Sequence, residues 1–81
     1  MVRVVLVGWS DGDWKLYRQP QWMAEVRRDP TASTLPRRHF DLEESAFQQA
    51  LKAWDREGAG SSLQLALEFL GRLGGVEALR S

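Results

Sequence analysis

Apolar residues follow three different rhythms along this chain. From Val2 to Val7 they run almost unbroken and are mostly β-branched, which predicts a strand over residues 2–8 (VRVVLVG). From Asp13 to Arg18 (DWKLYR) apolar and polar positions alternate, which predicts a second strand. Beyond residue 44 the spacing changes to three and four. Phe47, Ala50, Leu51 and Trp54 form one apolar stripe, and Leu63, Ala66, Leu67, Leu70 and Leu73 form another. Both predict amphipathic helices.

The segments between these runs carry turn and cap chemistry. Asp11-Gly12 reads as a two-residue hairpin turn of type I′, with both residues at φ > 0. Paired positions then face Trp9 with Trp14, Val7 with Leu16 and Leu6 with Tyr17. Gln19-Pro20-Gln21 reads as a second turn, making residues 22–27 (WMAEVR) the third strand of a meander. A competing reading makes Pro20 the first residue of a short helix. Residues 28–40 hold two prolines and no period, and read as a long loop. Asp41 and Glu44 have capping-box spacing, as do Ser61 and Gln64, and glycines at 58, 60, 74 and 75 stop the two helices. Val76 to Arg80 reads as a last short turn. The expected fold is a single α+β domain over 1–81: an antiparallel β-meander of two or three strands followed by two helices packed on one face.

That fold has more apolar surface than one sheet face can use. In the expected register one face carries Val5, Val7, Trp9, Trp14, Leu16 and Met23. The other carries Val4, Leu6, Tyr17, Trp22 and Ala24. A sheet with one wet face alternates apolar with polar, and this one does not. The second helix also has a wide apolar arc, flanked by Leu65 and Phe69. Leu6, Tyr17, Trp22, Leu65 and Phe69 are therefore the expected interface of an assembly module, with a homodimer as the simplest partner arrangement and another protein as a further one. The alternative is that the 28–40 loop and the C-terminal turn fold over the second face.

Composition narrows the chemistry. The chain has no cysteine, so thiol catalysis, disulfides and cysteine metal sites are excluded. The formal net charge is zero, which removes the crude electrostatic case for nucleic acid or an anionic membrane. No apolar run has the length of a membrane span or the pattern of a signal peptide, and a cytoplasmic protein is expected. The single histidine, His39, has no nucleophile or metal-ligand spacing around it, so no enzyme, cofactor or metal is expected. One polar constellation stands out. Arg27, Arg28, Arg37, Arg38 and His39 bracket the 28–40 loop and could hold an anion or nucleic acid, with Trp22 or Phe40 stacking on a base. Asp41, Glu43 and Glu44 stand beside them and could instead neutralise them.

Overall fold

Trp14–Arg18 (β2) folds back on Val2–Gly8 (β1) in a computed structural model that describes residues 1–75. The hairpin turn is one residue longer than the Asp-Gly pair suggests. Trp9 donates its N–H to the Asp13 carbonyl at 2.8 Å, and Gly12 donates to the Trp9 carbonyl at 2.9 Å. Ser10, Asp11 and Gly12 thus form a three-residue loop, with only Gly12 in the left-handed region, at φ 94°. Asp11 keeps a negative φ because its carboxylate accepts from the Asp13 N–H at 2.9 Å, a local turn that competes with type I′. The register therefore shifts by one. Leu6 pairs with Leu16, Val5 with Tyr17 and Gly8 with Trp14. A one-residue slip moves side chains between faces, so the expected pairings of Trp9 with Trp14, Val7 with Leu16 and Leu6 with Tyr17 are all corrected.

Residues 22–27 are helical. Gln19–Arg28 (α1) follows β2 directly, with Pro20 in its first turn and Arg27 and Arg28 in its last. Proline is preorganised for that first turn, and the two arginines suit the negative end of the helix dipole. The 28–40 segment is also ordered. Asp29 caps a 3₁₀ helix over Pro30–Thr34, and Arg37–Leu42 (β3) pairs antiparallel with β1 from Val7↔Arg37 to Val2↔Leu42. The sheet order is β2-β1-β3, so β1 lies in the middle, and the third strand arrives only after α1 has crossed back.

The α+β class, the antiparallel sheet and the two C-terminal helices on one face all stand. Glu44–Ala53 (α2) and Leu63–Leu70 (α3) cover the sheet face that carries Val4, Leu6, Leu16, Phe40 and Leu42, contributing Phe47, Ala50, Trp54, Ala66, Phe69 and Leu70. Their caps lie one or two residues beyond the expected ones. Glu43 precedes α2 because Asp41 and Leu42 belong to β3, and the Ser62 hydroxyl accepts from Leu65 N–H at the start of α3. A π-type turn, Gly71–Gly75, ends the described chain, with Gly74 at φ 97°. The expected turn over Val76 to Arg80 lies outside the described residues.

The opposite face is covered too. Trp22 of α1 and Ala32 of the 3₁₀ helix close over Val5 and Val7, with Trp9, Tyr17, Val26 and Leu35 packed at the margin. Val4, Val5, Leu6 and Val7 are all fully buried. The unbroken apolar run in β1 is thus explained by helical cover on both sides of a central strand.

Candidate interaction surface

Folding disperses the expected apolar row. Leu6 is buried beneath α2 and α3, while Trp22 is buried on the other face at 2% exposure. Tyr17 is half-buried beside Trp22, ring centroids 5.5 Å apart, and its hydroxyl accepts from Trp9 Nε1 at 2.9 Å. Burial pushes the Tyr17 phenol above its usual range, the Trp9 hydrogen bond opposes that shift, and the Glu25 charge adds to it. Phe69 is buried edge-on against Trp54. Of the five expected interface residues, only Leu65 is exposed, at 47%. The surplus that suggested a partner face is consumed by α1, whose burying positions Trp22 and Val26 fit a helix as well as a strand.

The arginine constellation is also redistributed. Arg27 and Arg28 end α1, and Arg28 pairs with Glu25 one turn back. Arg37, Arg38 and His39 open β3, all three exposed. Trp22 and Phe40, the expected stacking partners, are both buried and offer no platform for a base.

What the sequence reading missed is that these three residues lie on a sheet edge. The signal was there in the alternation His39-Phe40-Asp41-Leu42, whose two apolar members are buried and whose polar members face out. Asp41 as a helix cap was the stronger pattern and hid it. Among the described residues β3 is paired with β1 on one side only. Directly opposite Arg37, Arg38 and His39 stand Val7, Leu6 and Val5, which are aliphatic and fully buried. No carboxylate therefore reaches these side chains across the β1 ladder. One pair further along does match. Asp41 lies opposite Arg3, and the Arg3 Nε–Asp41 Oδ1 distance is 2.7 Å. Arg37 spends one Nη on the Ser33 and Leu35 carbonyls, at 2.9 and 3.2 Å, which ties the strand start to the 3₁₀ helix. Among the described residues Arg38 and His39 make no ion pair or side-chain hydrogen bond.

The concavities are less informative. A cavity of about 120 Å³ between Trp14, Trp54, Gly60 and Ser61 is smaller than a small-molecule site requires. A shallower one of about 480 Å³ is rimmed by Arg3, Arg18 and Glu44, whose charges are already paired. Arg18 grips Glu44 with two hydrogen bonds, at 2.7 and 2.8 Å, and lies 4.8 Å above the Phe47 ring. That guanidinium, helped by Gln48, holds the Glu44 carboxyl down to about 2. Among the described residues no group of three or more acidic or histidine side chains could hold a metal, and no helix is long and apolar enough to cross a membrane.

No protein-family model, characterised protein or solved structure matches this chain.

Proposed function

We propose that this chain is a non-enzymatic protein-interaction module that accepts an extended segment of a partner alongside β3. One observation carries the reading. The first half of β3 is exposed on both faces of the sheet and, among the described residues, is paired only to β1. An edge strand presents alternate N–H and C=O groups that no neighbour satisfies, and an added strand satisfies them. The rest of the surface supports this choice. Both sheet faces are covered, and the large apolar side chains left exposed (Met1, Met23, Leu51 and Leu65) come from different elements. A cytoplasmic setting belongs to the same reading.

Selection of a displayed library of random peptides on the chain tests it. Selected peptides are expected to slow amide hydrogen exchange at Arg37 and His39, whose N–H groups point away from β1, while leaving α2 and α3 unchanged. Peptides that protect the Leu51 or Leu65 surface instead, or a library that yields no binder, overturn it.

A further inference from the structure

We infer that the strand accepted by β3 is acidic, with carboxylates at consecutive positions opposite Arg37, Arg38 and His39. This rests on the strand-addition reading and specifies its partner. Three facts support it. The three side chains alternate across the sheet. Arg37 and His39 share the face of Val5 and Val7, and Arg38 shares the face of Leu6. Both faces of the edge are therefore cationic or hydrogen-bond donating, and an incoming strand meets a donor on either side of its own pleat. Residues directly opposite in a sheet are close enough for charge pairing, and opposite charges there are favourable. Second, the inner neighbour supplies no countercharge, since its residues at these positions are Val7, Leu6 and Val5. Third, the same strand already uses the proposed chemistry on its inner side, where Asp41 pairs across the ladder with Arg3.

A second copy of this chain is a poorer occupant. Two β3 edges paired about Arg38 would set that arginine against its own copy, and paired about His39 they would set Arg37 against an Asp41 that Arg3 already holds; like charges on an edge are a known device against self-pairing. Nucleic acid is also a poorer one. The chain is neutral overall, and among the described residues no exposed phenylalanine, tyrosine or tryptophan accompanies the arginines. An extended acidic peptide uses the backbone edge and the charges together.

The test uses synthetic peptides of about eight residues, long enough to span one strand. Threonine and valine form the body, with three consecutive glutamates at the centre. The controls carry glutamines or lysines there. The glutamate peptide is expected to bind about tenfold more tightly than the glutamine peptide at low salt, and to lose that advantage at high salt. Arg38→Glu/His39→Glu, which leaves the structural bonds of Arg37 intact, is expected to invert the order and favour the lysine peptide. Amide exchange at Arg37 and His39 and backbone N-methylation of the peptide report strand addition separately. Equal binding of all three peptides with β3 protected would overturn the acidic partner but keep the strand-addition reading. Binding without protection, and insensitive to N-methylation, would overturn both. No binding of the glutamate peptide would overturn the inference, as would tighter binding of a single-stranded oligonucleotide. A dimer that forms through residues 37–39 and excludes the peptide would replace the acidic partner with a second copy.

Discussion

The two faces of the sheet are closed by different means. Under α2 and α3 lies a broad core in which Phe47, Leu42 and Leu70 are buried with Val4 and Leu6. Under α1 only Val5, Val7, Trp22 and Ala32 are buried, and a ring of half-exposed side chains surrounds them. The broad face sets Phe40, Phe47, Trp54 and Phe69 among aliphatic side chains. The narrow face depends on aromatic geometry, with Trp22 edge-on to Trp9 at 6.1 Å and tilted on Tyr17. Central β1 lets one strand support both cores. It also means that neither face has surplus apolar surface to offer a partner.

Truncating the central side chain of each face is the sharpest way to break this contrast. Phe47→Ala and Trp22→Ala each fall in the range of about 3–5 kcal/mol for large aromatic truncations. Phe47→Ala is expected near the upper end, because buried neighbours hold the cavity open. Trp22→Ala is expected near the lower end, since Trp9, Tyr17 and Leu35 can settle into the gap. Urea midpoints measure both, and the reverse order would show that the narrow face is the more rigid one.

A smaller effect tests the rim of the broad face. A Cβ on Gly60 would stand 2.6 Å from the Trp14 carbonyl oxygen and 2.9 Å from Trp54 Nε1. Those two atoms are themselves hydrogen-bonded at 2.9 Å. Gly60→Ala should therefore cost about 1–3 kcal/mol through overpacking, read from the same urea curves. No loss would mean that the corner yields.

On the narrow face, Tyr17→Phe leaves Trp9 Nε1 without its acceptor and is expected to cost about 0.5–1.5 kcal/mol. The Tyr17 phenol has the higher proton affinity in the folded state. Its contribution is complete below pH 10.0, the unfolded value, and is lost as pH rises through the folded one. Ultraviolet titration of the folded chain should show tyrosine ionising above that of the denatured chain. Coincident curves would remove the assigned burial.

The smallest effect joins β2 to α2 across the broad face. Glu44 has a folded value of about 2 against 4.5 unfolded. Its contribution is present above 4.5 and is lost as pH falls toward 2. Both partners are solvated, so Glu44→Gln should lower the midpoint only slightly, and less at pH 2 than at pH 7. A carboxyl carbon titration with a midpoint near 4.5 would dissolve the pair.

These residues also show what could be read in advance. Val2–Val7 and the α2 and α3 stripes were legible because each rests on local periodicity; the glycine stops were not, since α2 ends at Ala53 and α3 at Leu70, ahead of the expected glycines. The hairpin was legible but not its register, because an Asx turn at Asp11 and the two-residue turn are close alternatives at the same dipeptide. Residues 19–28 were open because Trp22 and Val26 fit either period, and tertiary contact with Val5 and Val7 decided for the helix. β3 stayed hidden because its charges arise from its place at an edge, and edge position is a property of topology. The candidate surface was therefore half legible. Arg37, Arg38 and His39 drew notice as a cluster, while their grouping with Arg27 and Arg28 did not survive folding.

The central position of β1 has a consequence during synthesis. β1 leaves the ribosome before the elements that cover it, since its second neighbour begins only at residue 37 and the cover for its broad face only at residue 44. Until then the nascent chain carries a β-branched, nearly uncharged strand with one open side, the kind of segment that templates aggregation. Any truncation product ending before β3 inherits the same hazard permanently. Arrival of Arg37, Arg38 and His39 replaces that sticky border with a charged one, which makes the last strand to join also the gatekeeper of the first.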